Sequence, residues 1–204
     1  MFGLIRVALG FLVFFCLFFV IRRGKAEKKT RRYLFSAVVS LLLTLLSFLF
    51  PFENAFVTFA SPSDAYRYMN SSDREVRLVV NGKECDLVVG QKGDADVYHI
   101  FPKTAEGSKL ATGFDTQTDT VKIVKGAQIC VYRYKDTDDY FVTVLDTEGG
   151  AADISDVQGS VFLPLERENA VLDKTFVTYY ASVTRPSSDY WLCINGEIVF
   201  LFNE

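Results

Sequence analysis

The chain has 204 residues, half of them hydrophobic, with 22 Lys and Arg against 25 Asp and Glu for a net charge of −3. That balance excludes a basic nucleic-acid binder and a disordered polyelectrolyte. The charge is also divided: residues 1–52 hold eight Lys and Arg and one acid (+7), and the remainder hold fourteen Lys and Arg and twenty-four acids (−10).

Two apolar stretches come first. Val7–Ile21 has fifteen uncharged residues, and a span of twenty starts at Phe2 and takes in Arg6. An Arg near a helix end can reach the headgroups, so its cost there is small. Tyr33–Phe50 gives eighteen uncharged residues closed by Pro51. At ~1.5 Å per residue such a run reaches about 27 Å, close to the ~30 Å hydrocarbon core. Spans are predicted over residues 2–21 and 33–50.

Between them lie Arg22, Arg23, Lys25, Lys28, Lys29, Arg31 and Arg32, with one acid in the run. Cationic loops stay on the cytoplasmic side, each charge contributing roughly 1 kcal/mol beside an anionic leaflet. The expected arrangement is a multi-pass membrane protein with a cytoplasmic basic loop at 22–32. Its N-terminus and everything after Pro51 then lie outside. Arg22-Arg23-Gly24-Lys25 is no cleavage site, and the bulky Pro51-Phe52-Glu53-Asn54 argues against cleavage near Ala55 or Ala60. Phe14-Phe15 before Cys16 argues against a lipid anchor.

Ser36, Ser40, Thr44 and Ser47 recur at spacings that put them on one helical face, where small hydroxyl residues permit close helix approach. Phe11, Phe14, Phe15, Phe18 and Phe19 form an aromatic stripe on the first span. The expectation is packing of the two helices on each other, with docking to a partner membrane protein or to a second copy of the chain as the alternative.

Glu53–Glu204 is long enough for one ordinary core. Ser61-Pro62-Ser63-Asp64 supplies an N-cap, a Pro at the first helical position and a first-turn acid, predicting a short helix that buries Ala65, Tyr66 and Met69. Strands follow at Glu75–Val80, Lys83–Val89, Asp96–Phe101, Thr120–Val124, Gln128–Tyr134, Tyr140–Leu145, Val157–Leu163, Thr175–Val183, Tyr190–Ile194 and Glu197–Phe202. Asn81-Gly82 and Asn195-Gly196, each between apolar runs, predict two-residue hairpin loops with both positions at positive φ. About ten short strands and one short helix predict a two-helix transmembrane hairpin followed by a mainly β domain, an antiparallel sandwich or open barrel.

The junction Pro51-Phe52-Glu53-Asn54-Ala55-Phe56, Phe59 and Ser61-Pro62-x-x-x-Tyr66 resembles a segment of uncharacterised bacterial membrane proteins with one or two N-terminal spans and a small β-rich outer domain. Phe101-Pro102-Lys103-Thr104 with Gly107 is a weaker echo. The resemblance implies this architecture and a bacterial origin, and it brings no activity.

Groups able to do chemistry are few. If both Asn-Gly loops hold two residues, Cys85 faces Leu78, and Cys193 faces Ile198 with Trp191 and Phe200 alongside, so both read as buried apolar side chains. Cys130 completes an odd outer set, for which one disulfide plus a free thiol is the alternative. No Cys/His metal spacing occurs. His99, the lone histidine, shares a strand face with Val97 and Phe101 and reads as a core residue. Asp94/Asp96, Asp115/Asp119, Asp136/Asp138/Asp139 and Asp153/Asp156 match no Ca²⁺ loop and read as turn residues.

No cofactor, metal or nucleic acid is therefore expected. The partners expected are the bilayer and a membrane-protein or envelope partner. The predicted role is a non-enzymatic interaction, sensing or accessory module; Tyr132, Tyr134, Tyr140, Tyr179, Tyr180 and Tyr190 fit a binding face, although packing of the β core accounts for much of this aromatic content. One alternative is a membrane-tethered hydrolase using His99. The other is an accessory subunit docked to another membrane protein through its second helix.

Overall fold

The computed structural model describes residues 2–23, 29–70, 75–93, 95–111, 116–124, 126–135, 137–147, 152–169 and 174–202. Two helices, α1 (Phe2–Arg23) and α2 (Lys29–Leu49), pair as a hairpin, and both are long and apolar enough to cross a membrane. They approach closely at Gly10, where any side chain would overlap the Thr44 hydroxyl. Ser36 and Ser40 are buried. Most of the α2 hydroxyls are used within their own helix: Ser36 Oγ donates to Tyr33 O (2.9 Å), Thr44 Oγ1 to Ser40 O (2.8 Å) and Ser47 Oγ to Thr44 O (2.6 Å). The small side chains thus permit close contact rather than bond across it. The aromatic stripe divides. Phe18 packs on Tyr33 of α2 with ring centroids 5.2 Å apart, whereas Phe11, Phe15 and Phe19 are exposed.

Arg22, Arg31 and Arg32 lie at the turn end of the hairpin. Lys25 and Lys28 fall outside the described residues, as do the side chains of Arg23 and Lys29. At the opposite end, Pro51 stops α2 and a 3-10 turn, Phe52–Ala55, turns the chain toward the β domain. Here the structure departs from expectation. Arg6 does not reach outward but is fully buried, with Nη1 and Nη2 on the two carboxylate oxygens of Glu53 (2.5 and 2.9 Å) and Nε on Ser47 O (2.5 Å). The Phe52 ring lies 5.2 Å from the guanidinium carbon, and the Tyr68 hydroxyl donates to Glu53 (3.2 Å). A fork-to-fork carboxylate supplied from the 3-10 turn neutralises the charge on the spot.

The helix α3 (Pro62–Met69) forms as its cap predicts, with Ser61 Oγ accepting from Asp64 N at 3.1 Å and with Ala65 and Tyr66 fully buried. It covers one face of a four-stranded antiparallel meander of β1 (Val76–Asn81), β2 (Cys85–Lys92), β3 (Ala95–Thr104) and β4 (Gly107–Ser108). Val88, Phe101 and Leu110 pack with Ala65 and Tyr66. A side chain at Gly90 would overlap the Tyr66 hydroxyl and ring, so glycine is what lets α3 lie down on the sheet.

The other face of the meander packs on a central five-stranded sheet of β5 (Thr116–Val124), β6 (Ala127–Tyr134), β7 (Asp139–Asp146), β9 (Leu163–Asn169) and β10 (Lys174–Thr184), ordered β5-β6-β7-β10-β9. Val80, Cys85, Leu87, Val89 and Ile100 meet Tyr134, Phe141 and Tyr180 between the two sheets. The far face of the central sheet is covered by a third sheet of β8 (Ile154–Asp156), β11 (Trp191–Ile194) and β12 (Glu197–Phe200). There Ile129, Val131, Val142 and Val144 pack on Tyr190, Leu192 and Leu201. The described residues thus form two apolar helices and a mainly β domain of three antiparallel sheets with one short helix, as the sequence predicts.

Three local expectations are corrected. Asn195 and Gly196 do form a two-residue loop with φ of 51° and 84°, but the β1–β2 ladder ends at Asn81 opposite Asp86, leaving a longer loop. That loop is shaped by Asp139 of β7, whose Oδ2 accepts from the Glu84 and Cys85 amides (2.5 and 2.9 Å) and occupies the space beside Gly82. A tertiary cap therefore overrides the local turn preference. Second, Leu192 and Ile194 fill the core, while Trp191 and Cys193 are only half-buried and Ile198 and Phe200 exposed; β11 packs with the face opposite to the expected one. Third, residues 157–162 are not a strand, and β9 runs over Leu163–Asn169 instead.

Candidate functional site

The meander does not cover the whole face of the central sheet that it packs on. Past Tyr98 the two sheets separate, leaving a cleft of about 440 Å³ lined by Asp96 and Tyr98 on β3, and by Gln128, Cys130, Tyr132, Thr143, Leu145, Arg167, Phe176 and Thr178 on the central sheet. It lies at the Ala95 end of β3. The Thr104 end reaches the junction with the helical hairpin, where Thr104 pairs with Gly107 and Ser108 bridges to Phe59. Ten extended residues at ~3.3 Å each put about 30 Å of strand between the two ends.

The side chains that line the cleft follow from register. Gln128, Cys130 and Tyr132 alternate along β6 with Ile129 and Val131, which enter the opposite core. Thr143 and Leu145 on β7, and Phe176 and Thr178 on β10, are the corresponding cleft-facing positions. The inner wall is aromatic: Tyr98 lies 5.4 Å from Tyr132 and 6.1 Å from Tyr180 between centroids, and the Tyr98 and Tyr180 hydroxyls are 3.4 Å apart. Burial raises the pKa of all three phenols, so they stay neutral across the physiological range.

Two charged groups at the cleft are uncommitted among the described residues. Asp96 Oδ1 is buried without a hydrogen-bond partner. Arg167 makes no hydrogen bond or ion pair. With neutral phenols, an amide, hydroxyls and one charge of each sign, the cleft can bind by hydrogen bonds, ion pairing and apolar contact. Its described lining offers no histidine for proton transfer.

The residues singled out by sequence lie elsewhere. His99 points to the α3 side of the meander, its ring 5.3 Å from Tyr66 and 6.2 Å from Phe101, whereas Cys130 is on the cleft side. Cys85 is fully buried beside Asp139, and burial with that carboxylate pushes its thiol up to about 12. All four cysteines are free. Asp138 pairs with Arg185 (2.6 Å), Asp139 caps the β1–β2 loop and Asp156 accepts from Tyr190 Oη (2.7 Å). Asp94, Asp115 and Asp136 lie outside the described residues. Among the described residues no three of His, Cys, Asp and Glu gather as metal ligands.

Of the six tyrosines proposed for a binding face, only Tyr132 lines the cleft. Tyr180 backs its inner wall, while Tyr134, Tyr179 and Tyr190 belong to the cores and Tyr140 packs on Phe202. Arg167, Phe176, Thr178 and Leu145 carry no motif. Period-two alternation placed Leu145 on a strand face, but which face stays uncovered is a tertiary fact.

No family model, curated protein or solved structure matches the chain. Its function has to be read from the cleft and the helices alone.

Proposed function

We propose that this chain is a non-enzymatic binding module held at the cell membrane by its helical hairpin, with the β domain outside the cytoplasm and the cleft as its ligand site. The reading of sides rests on the Lys and Arg run at 22–32, which the positive-inside rule keeps in the cytoplasm. The N-terminus, the Arg6–Glu53 contact and the β domain then share the outer side. The observation that carries the binding role is an open cleft, remote from the junction, in which Asp96 Oδ1 has no hydrogen bond and Arg167 no ion pair among the described residues. Buried or half-buried polar groups without partners cost stability, and a ligand that satisfies them recovers it.

The hydrolase alternative finds no support in the geometry, because His99 is packed between Tyr66 and Phe101 on the far face of β3 from Cys130. Docking through the α2 hydroxyl face is likewise weakened, since Ser36 and Ser40 are buried and Thr44 lies against Gly10 of α1. Protease added to sealed cells tests the reading of sides. The β domain should be lost while a tag placed in the 22–32 loop survives until the membrane is permeabilised. Survival of the β domain in sealed cells with its loss after permeabilisation would reverse the orientation and remove the proposal.

A further inference from the structure

The floor of the cleft continues beyond the enclosed volume. Residues directly opposite one another across the central sheet run Ile123, Gln128, Leu145, Thr178 and Leu165, and all five point to the same face. The neighbouring row runs Val121, Cys130, Thr143, Tyr180 and Leu163. At the β5 end none of the described residues covers these rows: Ile123 is 84% exposed and Val121 55% exposed. At the β9 end stands Arg167, opposite Phe176. Five strands at ~4.8 Å spacing make a strip about 19 Å long, running across the strands. One end is a bare aliphatic pair, the other the Arg167 guanidinium, and amide and hydroxyl groups lie between.

We propose that this strip binds a short extended peptide of about five residues, its free C-terminal carboxylate on Arg167 and its aliphatic side chains on Val121 and Ile123. The assignment rests on the binding role proposed for the cleft and names its ligand class. A planar guanidinium that makes no ion pair among the described residues matches a carboxylate bidentately. Gln128, whose amide nitrogen contacts Cys130 Sγ, and Thr143, whose hydroxyl donates to Cys130 O, keep oxygen acceptors for peptide N–H groups; Gln128 keeps a second N–H to donate, and Asp96 Oδ1 on the opposite wall accepts a peptide N–H. A glycan would use flat aromatic faces, but Tyr98, Tyr132 and Tyr180 pack on one another, and an oligosaccharide has no use for exposed Val121 and Ile123. Glu166 and Glu168 flank Arg167 along β9, and among the described residues neither forms an ion pair with it.

The test uses the full chain in phospholipid nanodiscs and two pools of random pentapeptides, one with free C-terminal carboxylates and one amidated. The free-acid pool should yield binders with Leu, Ile or Val near the amino end. Amidating a selected binder should weaken it at least tenfold. Arg167→Gln should abolish the difference between acid and amide, and Ile123→Asp should weaken both forms while keeping the discrimination. Equal recovery of binders by wild type and Arg167→Gln would overturn the peptide assignment. Mixed neutral and acidic oligosaccharide fragments serve as the comparison ligand. Binding of these alone, sensitive to Tyr132→Ala, would refute the peptide assignment yet leave the cleft a binding site. Absence of binding by either class would sink both.

Discussion

Glu53→Ala strips the counter-charge from a guanidinium that has no contact with solvent. The Arg6 and Glu53 side chains are 0% and 7% exposed, and both carboxylate oxygens are engaged. Removing one partner of a buried pair leaves the other charge stranded, which costs about 3–5 kcal/mol. At 1.4 kcal/mol per decade, local opening of the junction should become more frequent by roughly two to three and a half orders of magnitude. The Phe56 and Val57 amides, which both donate to Glu53 O (2.9 and 2.7 Å), report that opening through hydrogen exchange of the full chain in nanodiscs. The paired replacement Arg6→Met with Glu53→Met removes both charges, and its protection should return to within about 1 kcal/mol of wild type or exceed it. If Glu53→Ala exchanges within threefold of wild type, Arg6 is solvated in the membrane and the ion pair does not hold the β domain to the hairpin.

The other predictions concern the β domain. Cys85 should resist iodoacetamide at pH 8.5 in the folded chain and react once denatured, because its thiol is pushed up to about 12 by burial and by Asp139. Its folded pKa lies above the usual 9.0, so its contribution is intact below pH 9 and declines by about 1.4 kcal/mol per unit from there toward pH 12; denaturant titrations of wild type and Cys85→Ala across pH 8–10 should diverge accordingly. Asp156 behaves oppositely. Burial opposes its charge, but bonds from Ser160, Tyr190 and the backbone outweigh this and hold the carboxyl below its usual value. Its contribution is therefore present above pH 4 and lost on acidification, and Tyr190→Phe should cost about 1.5–3 kcal/mol at pH 7, shrinking as the acid is protonated. Gly90→Ala should cost about 1–3 kcal/mol in thermal unfolding by forcing Tyr66 off the meander, with partial recovery when Tyr66 is also replaced by Leu.

The helices, the α3 cap and most strands were legible because each carries a local pattern: an uncharged run, Ser-Pro-x-Asp, or alternation of apolar residues. The β9 strand was not. Leu163-Pro164-Leu165-Glu166-Arg167-Glu168-Asn169 reads as a loop, since proline and three charges are poor strand residues. It is an edge strand, where a missing N–H can face away from the ladder and charges deter pairing with another chain. The same misreading hid Arg167, the cation on which the proposed ligand depends. Asn81-Gly82 and the β11 face failed for a different reason. Asp139 is far away in sequence from the loop it caps, and the inward side of β11 is decided by which sheet it covers.

The third sheet imposes an order on biosynthesis. Its members β11 and β12 follow all five strands of the central sheet in the chain, and with β8 they shield Ile129, Val131, Val142 and Val144. Until Leu192 and Leu201 have left the ribosome, an otherwise paired nascent sheet carries a sticky aliphatic flank with nothing to cover it. A chain that stops before Trp191 would keep that flank exposed, and addition of the β11–β12 hairpin closes it.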